Sequence, residues 1–349
     1  MWSIPPLITY IYMGDKKLQQ EKQFGKGAIR QPLDIRDRIY DGIAFSVAPF
    51  DWNIGYDIEK VINYTIPFKD QDGSSSCVGQ AWSYYLGILN AVETGVYTNI
   101  SAKAIYSQIA LNGGGAYIRE GGKLAVNWGA VLDSLVTSYE NGNPPMEKFM
   151  IDTSWKNSII DIVAKKLASK EFRMIADITM EIVAQGMRDN FGVVGGVDGS
   201  NNGSWNTLEP MPGKKEWGHA LYFGKAGIDE KGKFIATPNS WGNRFNGQWQ
   251  KLREAWFVEQ YMFNPWLLID KINIDYMSQE IIDLVKQNEK GMIIENEAPG
   301  RKGIIYAGKL MEVLNGREGN AALYLIENKT SVRRVSKDIF NQLPKGNSF

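Results

Sequence analysis

The 349-residue sequence holds one cysteine, Cys77, and one histidine, His219, and both stand where nucleophilic chemistry would need them. Cys77 closes the run Asp70-Gln71-Asp72-Gly73-Ser74-Ser75-Ser76-Cys77. Behind it, Val78, Ala81, Trp82, Tyr85, Leu86 and Leu89 recur at spacings of three and four, which predicts a helix. Ser75 or Ser76 suits the N-cap, so Cys77 falls in the first turn, where the partial positive charge of the helix end favours thiolate over thiol. A thiolate attacks carbonyl carbon, and the attack needs a proton carrier, an orienting group for that carrier and donors for the developing oxyanion. His219, in Trp217-Gly218-His219-Ala220-Leu221-Tyr222-Phe223, can carry the proton and hold the thiolate as an ion pair. Twenty residues later, after another predicted strand, comes Asn239-Ser240-Trp241-Gly242.

The elements that must position these groups follow from periodicity and breakers. A second helix is predicted from Ser101 to Leu111, stopping at Asn112-Gly113-Gly114-Gly115, and a third from Ala130 to Tyr139, stopping at a Gly/Pro cluster ending in Pro145. A helix from Thr179 to Arg188 then gives way to a strand over Phe191 to Val197. Further strands are predicted at Ala220 to Gly224, Phe234 to Ala236 and Gln248 to Leu252. Helices precede strands, the order of an α+β body with a helical half, a sheet half and a cleft between them. Residues 1–60 read as an N-terminal arm, 61–270 as the body and 271–349 as a small C-terminal α/β module. In that module a helix is expected over 278–290, strands at Gly303 to Tyr306 and Ala322 to Ile326, and a short helix at Lys337 to Leu343.

Gln71-x5-Cys77, then His219-Ala220 with an apolar strand, then Asn239-Ser240-Trp241-Gly242, in that order, resembles the papain family of cysteine peptidases. In that family His and Asn follow the Cys by about 130–150 residues. Here His219 follows by 142 and Asn239 by 162, and a hairpin at Asp229-Glu230-Lys231-Gly232 would absorb the excess. The resemblance implies a two-lobed papain-like α+β fold, a helical lobe plus an antiparallel β lobe, that hydrolyses peptide bonds through an acyl-enzyme. It implies Cys77 as nucleophile, His219 as its partner, Asn239 as orienting residue, and Gln71 with the Cys77 backbone N–H as oxyanion hole. Trp241 would shield the His–Asn contact, and Gly114 and Gly115 would offer main chain to substrate. Three departures stand out: Val78 replaces an aromatic residue, Gly218 replaces an Asn or Asp, and the family's disulfide cysteines are absent. No inhibitory pro-region is recognisable, which leaves the arm of residues 1–60 as the segment able to control activity.

Composition narrows the alternatives. Lys+Arg and Asp+Glu are both 39, so no net field favours nucleic acid or an anionic membrane. One cysteine forbids an intramolecular disulfide, and one histidine forbids a His-based metal cluster, so neither cofactor nor metal is expected. The N-terminal apolar stretch lacks a preceding basic segment and is too short to span a bilayer, so no signal peptide and synthesis in the cytoplasm are expected. A polypeptide is the expected substrate, with residues 271–349 free to dock a partner. The same chemistry also serves an amidase or transferase acting on cell-wall cross-links, and a non-catalytic binding or assembly protein could keep the fold.

Overall fold

A computed structural model of the chain describes residues 26–32, 34–40, 49–140, 142 and 145–269, and beyond them only the backbone of strands between 272 and 335. Its helical half is built around one long helix, Cys77–Thr94, which is apolar on nearly every side and buried along nearly all of its length. Two glycines let its neighbours approach: a Cβ on Gly79 would lie 2.7 Å from the Ala102 carbonyl oxygen, and one on Gly87 would lie 2.6 Å from that of Thr98. Gly95 closes the helix in the left-handed conformation, at φ 76°.

The first strand, β1 (Ala28–Ile29), belongs to the N-terminal segment, and β2 (Tyr56–Asp57) leads into a short helix, Ile58–Ile62. The predicted second helix appears as Ala102–Ile109, with the Ser101 side chain accepting from the Ala104 N–H, and it ends before the glycine run as expected. β3 (Ala116–Tyr117) pairs in parallel with β1. The next helix is not at 130–139. It is Ile118–Asn127, whose Gly121 and Gly122 lie against Trp82. Residues 130–139 instead form turns bridged to the start of the neighbouring helix: Ile100 bridges Leu132, the Ser101 N–H donates to the Val131 carbonyl, and Ser138 Oγ accepts from Ala102 and Lys103. Their apolar spacing mimicked a helix because Ala130, Val131 and Val136 are buried as a packing patch.

The sheet half begins with β4 (Glu171–Met174) and the helix Met180–Asn190, then β5 (Val193–Gly199), β6 (Trp217–Phe223), β7 (Lys225–Asp229), β8 (Gly232–Thr237), β9 (Gln250–Arg253) and β10 (Met262–Ile269). Two antiparallel sheets result, ordered β4-β10-β5-β6 and β2-β7-β8-β9. β7 and β8 form the hairpin expected at Asp229–Gly232, and β5 pairs with β6 so that Val197 faces His219. The long helix packs on β6, and one core runs through both halves. Tyr85 OH ties them by donating to the Asn190 carbonyl at 2.7 Å and accepting from the Leu268 N–H at 3.1 Å.

The described part of the C-terminal module is a six-stranded antiparallel sheet, β11 (Ile272–Asn273), β12 (Met292–Glu295), β13 (Lys302–Tyr306), β14 (Leu310–Leu314), β15 (Ala321–Asn328) and β16 (Ser331–Val335), ordered β11-β16-β15-β14-β13-β12. Both predicted strands are present, and the helices expected at 278–290 and 337–343 lie outside the described residues. Among the described residues no helix is long and apolar enough to cross a membrane.

A Cβ on Gly121 would stand 2.1 Å from Trp82 Cδ1, inside a ring that is fully buried. Gly121→Ala is therefore expected to destabilise, because overpacking costs about 1–3 kcal/mol and exceeds the helix-propensity gain of about 1 kcal/mol. Thermal melting followed by circular dichroism checks this, and a raised melting temperature would contradict it.

Candidate active site

Cys77 is the first residue of the long helix. Ser76 holds the N-cap position without capping through its side chain. Its hydroxyl instead contacts Ser74 Oγ at 2.8 Å and accepts from Gln80 Nε2 at 3.3 Å. The turn before it is held by Gln71, whose backbone N–H donates to the Ser240 carbonyl at 2.8 Å and whose Nε2 donates to the Ser74 carbonyl at 2.8 Å. Ser240 Oγ in turn donates to Gln71 Oε1. Gln71 thus fastens the helical half to the loop that carries Asn239. Tyr84, about two turns further along the helix, reinforces this link, donating to the Asn239 carbonyl at 3.1 Å.

His219 lies on β6, one residue before Ala220, whose backbone opposes the rise that burial causes in the pKa of the Cys77 thiol. Asn239 follows β8 in the left-handed region at φ 55°, a conformation asparagine tolerates. Its Oδ1 lies 2.9 Å from His219 Nε2 and accepts the Ser240 N–H at 2.6 Å. Trp241 stacks on the imidazole with ring centroids 4.4 Å apart, so the shielding expected of it has a geometric basis. Trp205 and Trp217, which sequence reasoning passed over, stand edge-on to both rings. Gln250 was also missed: its Oε1 accepts from Asn239 Nδ2 at 2.6 Å, and its Nε2 donates to the carbonyls of Thr207 at 2.7 Å and Trp205 at 3.2 Å. The one available signal was a glutamine at what becomes a buried strand position.

Gly115 lies against Gly27 of the chain's own N-terminal segment, and Gly114 lies against Ser75 and Glu147. The Gly27 N–H donates to the Gly218 carbonyl at 3.1 Å, and the Gly27 carbonyl accepts from the Ala116 N–H at 2.8 Å. A Cβ at residue 27 would lie 2.1 Å from the Ser75 carbonyl oxygen, and one at Gly218 would lie 2.1 Å from that of Ala28. This accounts for Gly218, since an Asn or Asp there would collide with the segment. Side chains fasten the segment at both ends. Lys26 Nζ donates to Asn201 Oδ1 at 2.6 Å and sits over the Trp217 ring, while Arg30 pairs with Asp198 and covers the Phe263 ring. The Arg119 backbone N–H donates to Gln31 Oε1 at 3.1 Å, and its guanidinium donates to the Pro32 carbonyl and pairs with Asp37.

Beneath this cover neither Cys77 nor His219 has any solvent exposure. Burial pushes the thiol up to about 11, against smaller opposing hydrogen bonds from the backbone of Ala220, Gly27, Val78 and Ala28. Burial likewise pushes the imidazole down to about 4, with the Asn239 hydrogen bond acting the other way. His219 Nδ1 has no hydrogen-bond partner among the described residues. The ion pair expected from the helix dipole is therefore not the state of the covered site: desolvation outweighs the dipole, and both groups are neutral near pH 7.

No protein-family model and no curated protein sequence matches the chain. Solved structures do. Xylellain, a cysteine protease from Xylella fastidiosa, aligns with a TM-score of 0.55 at 19% identity, over 72% of this chain and 98% of that one. The ragweed pollen allergen Amb a 11, a cysteine protease in its proform, gives 0.51 at 19% over 63% and 66%. Procathepsin B from Trypanosoma congolense gives 0.51 at 10% over 70% and 87%. The chain has the two-lobed α+β papain-like fold.

The two neutral groups predict a stability profile. Between pH 6.5 and about 4 the unfolded chain binds the histidine proton and the folded chain does not, so acidification through this window removes about 3 kcal/mol. Between pH 9.0 and about 11 the folded chain keeps the thiol proton that the unfolded chain loses, so rising pH removes about 3 kcal/mol. Denaturant midpoints measured against pH should fall on both sides, and the alkaline fall should shrink in Cys77→Ser. An equal alkaline fall in both proteins would contradict the covered thiol.

Proposed function

We propose that this chain is a cysteine-type peptidase acting through a covalent acyl-enzyme, and that the covered site is its latent state. What supports the reading is the pairing of His219 Nε2 with Asn239 Oδ1 at 2.9 Å on a loop that Ser240 fastens to Gln71, in the turn leading to Cys77. In the open state, the Cys77 proton passes to His219 Nδ1 and the sulfur attacks the substrate carbonyl carbon. The Cys77 backbone N–H and the Gln71 amide stabilise the oxyanion, where one good donor contributes about 2.7–4 kcal/mol. His219 then gives the proton to the leaving amine as the C–N bond breaks. Water, deprotonated by the same nitrogen, cleaves the thioester and returns the thiol.

Latency follows from how the segment Lys26–Gln31 lies in the groove. It pairs in parallel with β3, and the Gly27 carbonyl is turned to the Ala116 N–H on the groove wall. Its Gly27 and Ala28 backbone groups bear on the thiol, opposing in small part the rise that burial causes. With its Gly27 carbonyl committed to Ala116, the segment covers the site without offering that carbonyl for attack. Two of the similar structures are likewise of precursor forms, the Amb a 11 proform and procathepsin B. Residues 1–60 are then the controlling arm, and the sheet of residues 271–349 is a separate docking module.

The sole cysteine makes the test clean. Cys77→Ala should abolish hydrolysis of a denatured protein and all labelling by a thiol-directed epoxide, and retained hydrolysis would sink the peptidase reading. In the full chain, Gly27→Val and Arg30→Glu should each speed labelling of Cys77 by about tenfold or more, the factor that about 1.4 kcal/mol of lost anchoring gives. A wild-type thiol that reacts as fast as free cysteine would overturn the latent state.

A further inference from the structure

We infer that Gln250 is a positioning residue, which through Asn239 decides which ring nitrogen of His219 carries the proton. The inference rests on the proposed role of His219 as proton carrier for Cys77. That role requires a lone pair at the nitrogen not bonded to Asn239, and so requires the proton at Nε2 in the neutral ring.

An asparagine side chain has two ends of nearly equal shape and opposite hydrogen-bonding character. With Oδ1 toward the ring, His219 must donate from Nε2, and Nδ1 is left as the base. With Nδ2 toward the ring, Nε2 must accept, the proton moves to Nδ1, and the base is lost. Asn239 does not choose between these by itself.

The choice is fixed by backbone groups, which cannot turn over. The carbonyls of Trp205 and Thr207 accept only, so Gln250 must aim its Nε2 at them, at 3.2 and 2.7 Å. Its Oε1 then faces Asn239, and only Nδ2 can meet it, at 2.6 Å. Oδ1 is left for His219 Nε2 at 2.9 Å, and the Ser240 N–H holds the same end at 2.6 Å. Reversing either amide would set two acceptors or two donors face to face, in a place where Gln250, Asn239, Ser240 and His219 are all buried. Of the two restraints on Asn239, that from Ser240 is main chain within the same turn, and Gln250 is the side chain that carries orientation in from another strand. The unpartnered Nδ1 is the free end this arrangement predicts.

The only histidine in the chain gives a direct readout. In the full chain labelled with 15N-histidine, the neutral ring should show the proton on Nε2. Gln250→Leu should bring in a measurable population with the proton on Nδ1, and lower kcat about tenfold with KM little changed. In Gln250→Glu the protonated acid can donate to Thr207 and accept from Asn239, so the Nε2–H signal should recover as the pH falls from about 8 toward about 5, burial having raised that carboxyl. Should the leucine variant fail to fold, this pH-dependent recovery carries the test alone. A folded Gln250→Leu with the proton still wholly on Nε2 and unchanged kcat would overturn the inference, as would a tautomer in Gln250→Glu that ignores pH. A tautomer shift in a chain that hydrolyses no peptide, even with Gly27→Val, would keep the positioning role and remove the peptidase reading.

Discussion

Taking a thiolate and an imidazolium out of water costs several kcal/mol for each ion, whereas a helix N-terminus returns about 0.3–1 kcal/mol and seldom more than about 2. That imbalance governs the cleft. Cys77 sits at the end of the helix suited to stabilise its anion, yet with Lys26–Gln31 across it the thiol keeps its proton and the imidazole stays neutral. The charge state of the pair is thus set less by the pair than by whether water reaches it. One short piece of backbone keeps the thiol and the imidazole neutral without disturbing the bonds that hold the surrounding arrangement together.

Those bonds cross between the lobes. The helical half contributes the thiol, the sheet half contributes the imidazole and its amide partner, and Gln71 and Tyr84 tie the first half to the loop of the second. Around the imidazole the environment is asymmetric. One nitrogen is held by a chain of buried amides under a wall of tryptophan rings, and the other has no hydrogen-bond partner among the described residues. Rigid support on one side and an unfilled valence on the other is the arrangement expected where a proton must move in one direction only.

Much of this was legible in the sequence because chemistry restricts residue type more tightly than folding does. A lone Cys behind a serine run, a lone His opening an apolar strand, and Asn-Ser-Trp-Gly after the next hairpin name the site without any structure. Periodicity was less reliable. The apolar spacing of 130–139 predicted a helix, but those residues were serving a packing patch, and the helix formed earlier, where Gly121 and Gly122 allow contact with Trp82. The arm of residues 1–60 was legible as the segment able to control activity, but where it lies was not, since its two-residue strand is defined only by partners far along the chain. Gln250 fell within a predicted strand, and nothing local showed that its side chain would be buried beside Asn239. The neutral state of Cys77 and His219 was misjudged for one reason: a dipole can be read from local sequence, and burial by a distant segment cannot.

The cover over Cys77 also bears on how the molecule ages. Oxidation of a cysteine begins with the thiolate and needs an oxidant within reach, and beyond the sulfenic state it is irreversible in most settings. A protein with a single cysteine has no second thiol with which to trap that first product as an internal disulfide. Shut beneath Gly27 and Ala28, the sulfur is both protonated and out of contact with dissolved peroxide. On the proposed reading, the segment that withholds the thiol from peptide also preserves it, and every opening that would admit a substrate would expose the sulfur to irreversible damage.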